Sequence, residues 1–260
     1  MITQRRRTAG IRITHGDTQI HLDPGPGALV FSNWAKYNPQ KLDGIIVTHG
    51  HPDHYGDAEV FIEAMTKGTR EKKGVFAAPK SVLYGNQEIG PSISNYHRDL
   101  PERVEELLPN HMFSVNNISF QAQKAVHGDP DTVGLKFNVP EVGDIGYTSD
   151  TGYFPGLGGL YKDSRLLIIC SMWPKNQSIE KHLNTLDAKE IIKDAKPNCV
   201  VLTHFGMRML NTGPEIEADF LEKETGIPII AAKDGIKVTI GDKILTKGPR
   251  KKDEPRVIDG

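Results

Sequence analysis

The sequence predicts a mixed-sheet α/β sandwich. Short apolar runs of strand length alternate with amphipathic helical stretches, and some neighbouring strands are joined by tight turns. No internal repeat or linker divides the chain, so residues 1–246 are read as a single domain followed by a charged tail, 247–260.

The elements follow in order. Ile11–Thr14 and Gln19–Leu22 alternate around Gly16-Asp17 and predict a hairpin. Asp23-Pro-Gly-Pro-Gly27 breaks the pattern and marks a loop. Gly44–Thr48 is a continuous apolar run, the signature of a strand covered on both faces. Asp57–Met65 carries apolar residues at helical spacing. Val75–Ala78 predicts a strand and Ser81–Tyr84 the opening of a helix, whereas the polar residues 85–111 give no assignment. Met112–Phe120 and Gln121–Val126 return to β character around a turn at Asn116-Asn117, and Gly134–Val139 and Gly143–Thr148 add two strands. Leu166–Cys170 and Val200–Thr203 are further buried strands, and Leu186–Ala195 and Pro214–Glu224 are helices, the second ending near Gly226. Ile229–Ala232 and Ile236–Ile240 bracket Asp234-Gly235, which predicts a second hairpin. Lys247–Gly260 is charged and proline-containing, and is read as a loose tail.

Composition excludes several classes. With 37% hydrophobic residues and 26 glycines, the 260-residue chain holds enough apolar side chains for a sizeable core and is not of disordered type. The 32 basic and 33 acidic residues nearly balance, which argues against a surface dedicated throughout to nucleic acid but leaves room for a local basic patch. No apolar run approaches the ~18 residues of a membrane span, and the basic start lacks the apolar core of a secretory signal. Two cysteines, Cys170 and Cys199, both in apolar runs, cannot make a disulfide framework and fit buried thiols in the cytoplasm.

The chemistry is concentrated in Val47-Thr-His49-Gly-His51-Pro-Asp53-His54, where three imidazoles and a carboxylate fall within six residues directly after a strand. Alternate residues of an extended chain point the same way, so His49 and His51 project together, and Asp53 and His54 follow into a helix start. Imidazoles suit zinc and other borderline metals, and the carboxylate balances charge. Four ligands from so short a segment exceed the needs of one open site, so two ions sharing the loop is the economical reading. Further ligand-type residues end apolar strands elsewhere: His127, Asp150 and His204.

The set His49-x-His51-x-Asp53-His54, then His127, Asp150 and His204, resembles the metallo-β-lactamase superfamily of binuclear hydrolases, from Gln19 to about Ile240. The resemblance implies a four-layer αββα sandwich. It also implies that His49, His51 and His127 hold one metal, that Asp53, His54 and His204 hold the other, and that Asp150 bridges both. Lys181-His182-Leu-Asn-Thr185, followed by a helix and Val201-Leu-Thr-His204-Phe-Gly, resembles the phosphodiesterase branch that includes ribonuclease Z. There the residue matching His182 is an acid that protonates the leaving oxygen, and Asp23 would orient a metal-binding histidine or, equally, cap its turn.

The implied cofactors are two divalent ions, zinc by ligand type, with manganese or iron compatible. Such a pair can hold a bridging water and lower its pKa toward ~7. Asp53 would orient the nucleophile and His182 would act as general acid, giving hydrolysis of a nucleotide-type or cyclic phosphodiester. Arg208 is a candidate phosphate contact. The partners are a small-molecule or short nucleic-acid phosphodiester and no membrane, with a homodimer allowed.

Two departures limit the analogy. Only 22 residues separate His127 from Asp150, too few for the protruding arm with which ribonucleases of this branch grip tRNA. Related chains also begin with a strand and a glycine-rich turn ahead of the segment matching Gln4–Gly10, whereas this one starts inside it, so a first strand is expected to be missing or to lie upstream. Ribonuclease action without the arm, and lactone or thioester hydrolysis, are the alternative activities. Other signatures are missing: no Gly-x-Ser-x-Gly or His-Glu-x-x-His occurs, and the glycine-rich stretches match no nucleotide-binding fingerprint.

Overall fold

In the computed structural model, which describes residues 5–88, 90–248 and 255–259, the first hairpin forms as its turn residues dictate. β1 (Ile11–His15) and β2 (Thr18–Leu22) pair antiparallel around Gly16, whose φ is +54°. The chain falls into two units, one of residues 5–124 with Asp129–Val133, the other of Ala125–Gly128 with 134 onward.

The first unit continues through α1 (Ala28–Trp34), β3 (Gly44–Ile46), α2 (Pro52–Tyr55), α3 (Ala58–Met65), β4 (Val75–Pro79), α4 (Lys80–Leu83), α5 (Asn95–Arg98) and β5 (Arg103–Leu107). It then holds a hairpin of β6 (Met112–Val115) and β7 (Ile118–Lys124), which reverses at Asn116. Its five-stranded sheet runs β1-β2-β3-β4-β5 and is parallel from β2 onward. Helix α3 buries Ala58, Phe61, Ile62 and Met65, spaced at i, i+3, i+4 and i+7, in one cluster with Ile45, Val47, Phe76 and Ala78. Each large apolar side chain so covered contributes about 1.5–3 kcal/mol. Strand β5 and helix α5 lie in the stretch that the sequence leaves unassigned. β5 ends the sheet and leaves Arg103 and Glu106 exposed, so its order comes from the ladder with β4 rather than from an apolar pattern.

The second unit contains β8 (Val133–Val139), β9 (Gly143–Tyr147), β10 (Leu166–Trp173), β11 (Leu183–Asn184), α6 (Thr185–Ala195), β12 (Val200–Thr203), α7 (Met207–Thr212), α8 (Pro214–Thr225) and β13 (Ile229–Ala231). Strands β8, β9, β10, β12 and β13 lie side by side in that order, antiparallel between β8 and β9 and parallel thereafter. Helix α6 begins at a capping box in which Asn184 accepts from the Leu186 and Asp187 amides and Asp187 accepts from the Asn184 amide. Helix α8 starts at Pro214 and stops at Gly226, which adopts φ +72°. Ile191, Ile192, Ala218 and Leu221 of these helices share a core with Leu167, Ile169, Val200 and Leu202 of the sheet.

Two local expectations change. The turn at Asp234-Gly235 is present, but it does not close a hairpin: β13 pairs with β12, whereas β14 (Lys237–Ile240) pairs with β15 (Lys243–Lys247) around the later Gly241-Asp242. A tight turn specifies a reversal, and which strands then pair depends on distant partners. Of the segment read as a loose tail, residues 249–254 and 260 lie outside the described residues. Arg256–Asp259 forms β16, antiparallel to β15, and the Arg256 guanidinium donates to both Glu222 carboxylate oxygens at 2.7 Å and to the Ile229 carbonyl at 2.8 Å.

Both units thus build mixed or parallel sheets flanked by helices, the expected α/β class. No helix among the described residues is long and apolar enough to cross a membrane.

His21 on β2 belongs to the packing rather than to the chemistry. It is buried with its ring stacked on Phe61 at 4.3 Å, and neither ring nitrogen has a hydrogen-bond partner among the described residues. Burial, helped by the positive charge of Arg12, pulls its pKa from 6.5 to about 3. The unfolded chain therefore takes up a proton below pH 6.5 that the folded chain refuses. Stability should fall as pH drops through this window, by up to about 1.4 kcal/mol per pH unit from this group. Urea unfolding from pH 7 to 4.5 should show a shallower loss for His21→Leu than for the wild type.

Candidate metal centre

The His49–His54 loop is built by the register of β2 against β3. Leu22 pairs with Ile46, so Asp23 and Val47-Thr48 leave the sheet side by side. Asp23 is fully buried with a left-handed backbone, φ +50°, and its amide donates to the Ile46 carbonyl. Its carboxylate accepts from the Thr48 amide at 2.7 Å, the Thr48 hydroxyl at 2.8 Å and His54 Nδ1 at 2.9 Å. A carboxylate only accepts, so His54 holds its proton on Nδ1 and its lone pair on Nε2. The single Thr48 hydroxyl proton is committed to Asp23, so that oxygen accepts from His49 Nδ1 at 3.2 Å, and His49 likewise presents the lone pair of Nε2. Asp23 thus orients a histidine of the motif, the role that the sequence left level with turn capping.

His51 precedes α2 in extended conformation, and Pro52 starts the helix, which turns Asp53 and His54 back toward the other rings. The His49 ring lies 4.8 Å from that of His51 and 4.1 Å from that of His54, and His54 Nε2 is 3.9 Å from Asp53 Oδ2. The loop is compact because Gly25 has no side chain: a Cβ there would come within 2.0 Å of the Asp53 carbonyl oxygen.

Asp129 was missed at the sequence level, since an acid before proline signals only a turn. It is fully buried and accepts from the Gly50 amide at 2.7 Å and the Ser81 hydroxyl at 2.6 Å on Oδ2, and from the Asp131 amide at 3.0 Å on Oδ1. It pins the residue between His49 and His51 from behind.

In the second unit Asp150 is the hub. It follows β9 after Ser149, whose φ is +55°. Its Oδ2 lies 3.3 Å from His204 Nε2, 3.8 Å from His127 Nε2 and 3.9 Å from His182 Nδ1. His127 Nδ1 donates to the Lys181 carbonyl at 2.9 Å and so presents Nε2 as a lone pair. His127, Asp150 and His182 offer ligand atoms that all lie within 4.8 Å of one another. Lys181, at φ +67°, carries His182 into this group. Gly152 lets the segment close, for a Cβ there would meet the Lys181 backbone at 3.0 Å.

The structure therefore gathers His49, His51, Asp53 and His54 within one unit, and His127, Asp150, His182 and His204 within the other. Arg208 donates to Gln177 and lies over the Trp173 ring, which gives it structural partners. His97 pairs with Glu59 and Glu63, and His111 with Glu105, so both have structural roles.

The donor set fits divalent cations: at His49, His54 and His127 the hydrogen-bond partners leave Nε2 as the lone-pair nitrogen, and carboxylates stand beside the rings. A family model described as the beta-lactamase superfamily domain matches residues 18–205. The chain belongs to the metallo-β-lactamase superfamily. The uncharacterized protein MJ1374 of Methanocaldococcus jannaschii is 38% identical over 241 residues, 92% of this chain and 90% of that one. Ribonuclease Z of Thermococcus kodakarensis is 34% identical over 80 residues, 31% of this chain and 26% of that one. Among solved structures, the metallo-β-lactamase fold protein YhfI of Bacillus subtilis superposes with a TM-score of 0.73 at 19% identity, covering 89% of this chain and 91% of that one. A diphosphatase of the PhnP family superposes with a TM-score of 0.65 at 14% identity, covering 90% and 85%. These likenesses establish the superfamily fold. Within it the protein is a metallo-hydrolase with a His/Asp set for divalent metal.

Two buried carboxylates support this set, and they can be separated experimentally. Asp23→Ala should lower metal affinity about 10–100-fold in a chelator competition titration, because His54 loses its orienting acceptor. Asp129→Ala strands the Gly50 amide and the Ser81 hydroxyl, and should lower the unfolding free energy in urea by about 2–4 kcal/mol.

Proposed function

We propose that the protein is a metal-dependent phosphodiesterase. In this reading His49, His51, Asp53, His54, His127, Asp150 and His204 hold two divalent ions, zinc by ligand type. When bound, such ions supply an activated water at neutral pH and offset the charge of the phosphate oxygens. The chain's own contribution is orientation and proton transfer. Asp23, Thr48 and the Lys181 carbonyl fix imidazole tautomers, and Asp53 is the carboxylate that orients the attacking water.

The observation that carries the phosphodiester assignment is His182. Its ring is held against Asp150 by the left-handed turn at Lys181, and its side chain is 23% exposed, against 1% for His127 and 14% for His204. An imidazole beside the ligand set yet open to solvent can deliver a ring proton to a departing alkoxide oxygen, whose expulsion is otherwise slow. The partial match to a ribonuclease Z supports a second reading, cleavage of short RNA by the same groups.

Purified protein carrying two equivalents of Zn or Mn should hydrolyse bis-(p-nitrophenyl) phosphate or a 2′,3′-cyclic nucleotide. His182→Ala should lower kcat about 10²–10⁴-fold, the usual worth of a general acid, with metal content unchanged by elemental analysis. Equal loss of metal and turnover would make His182 a ligand instead. Hydrolysis of lactones or thioesters with phosphodiesters left intact would move the activity to the other branch, and cleavage of a pre-tRNA on a gel would support the ribonuclease reading.

A further inference from the structure

The first unit carries a second chemical feature, remote in type from metal binding. Between Arg5 and Gly16, and again between Pro24 and Leu42, there is no Asp or Glu, while Arg5, Arg6, Arg7, Arg12, Lys36 and Lys41 supply cations. Against this background α1 turns apolar surface outward. Val30 and Trp34, at i and i+4 on one stripe, are 49% and 71% exposed. The Trp34 ring meets Phe31 edge-on at 5.3 Å, and the Arg7 guanidinium lies 3.7 Å from the Phe31 ring centre. Lys36 follows on an exposed left-handed turn, and Tyr37 carries Arg12 over its ring at 5.7 Å.

A solvent-facing helix gains nothing from a tryptophan in its outer stripe, so the face has the composition of a contact surface. Its charge selects the occupant. Pairing with a second copy about a two-fold axis would lay the patch on itself, Arg7 and Lys36 against their own copies. A strand that alternates flat apolar rings with anionic groups fits instead. Bases stack on exposed aromatic rings whatever their identity, and arginines and lysines beside those rings take the phosphates.

We infer that the α1 face is a stacking platform for a short single-stranded nucleic-acid segment, with Trp34, braced by Phe31, receiving a base and Arg7 and Lys36 receiving phosphates. The inference rests on the phosphodiester reading for the class of substrate, and it makes that substrate a polynucleotide strand rather than a free mononucleotide.

Fluorescence anisotropy of labelled oligouridylate and oligodeoxythymidylate decamers, titrated with the metal-loaded full chain at 50 and 200 mM salt, tests it. The wild type should bind both decamers, more weakly at the higher salt. Trp34→Ala should weaken binding about tenfold or more, and Arg7→Glu with Lys36→Glu should do so while flattening the salt dependence. The lone remaining Trp34 of a Trp173→Phe variant should lose fluorescence as decamer is added. Undetectable decamer binding, or binding indifferent to Trp34 and to the charge reversals, overturns the platform. So does light scattering that finds a dimer dispersed by Trp34→Ala, or capture by phosphatidylserine vesicles in place of the decamers. Turnover of bis-(p-nitrophenyl) phosphate by the wild type reports on the reaction class alone. A protein that binds decamers through Trp34 yet leaves that ester intact would keep the platform and remove the phosphodiesterase.

Discussion

The three hydrogen bonds received by the Asp23 carboxylate set the geometry on which the histidine loop depends. Burying an anion is costly unless donors surround it, and here the Thr48 amide, its hydroxyl and His54 Nδ1 all come from the segment that must be positioned. The carboxylate joins the strand exit to the start of α2 and, through Thr48, reaches His49 as well. That arrangement follows from pairing register. Leu22 stands opposite Ile46, and a slip of one residue would send Asp23 to the other face of the sheet. The fold therefore joins the strand exit to α2 through this register and the buried Asp23 carboxylate.

The second unit solves its own positioning differently. Asp150 has imidazole nitrogens at 3.3, 3.8 and 3.9 Å around one carboxylate oxygen. Imidazole nitrogens grouped around a carboxylate are the donor types that borderline divalent ions take. Supporting groups are as specific as the ligand-type side chains. A backbone carbonyl at Lys181 sets the tautomer of His127, and the buried Asp129 holds the backbone between two histidines. Most of these supports are backbone groups or short side chains on adjacent turns, which leaves little freedom for the rings to re-orient.

Much of this was legible because it is local. The ligand-type residues follow apolar runs directly, so strand ends and site residues could be read together: His49 after β3, His127 after β7, Asp150 after β9 and His204 after β12. Helices α3, α6 and α8 were visible from spacing and from their punctuation by Pro214 and Gly226. What escaped depends on partners distant in the chain. β5 is polar because it sits at a sheet end, and the strands flanking Asp234-Gly235 join different sheets. Asp129 reads as a turn residue until the amide of Gly50, 79 positions away, is placed against it. Helix α1 shows no clean apolar stripe because Val30 and Trp34 face outward while Leu29 and Phe31 are half-buried.

Four residues flanking or belonging to the clusters, Asp23, Ser149, Lys181 and His204, adopt left-handed backbone although none is glycine, with φ between 50° and 67°. Such a conformation costs roughly 1 kcal/mol or more per residue and survives only where the surrounding structure enforces it. Each of these reversals is a sharp corner that a relaxed loop would round off. The consequence is thermodynamic: the disorder that floppy loops would surrender anew at every encounter is removed once, when the chain folds. An incoming molecule then meets groups whose directions are already decided.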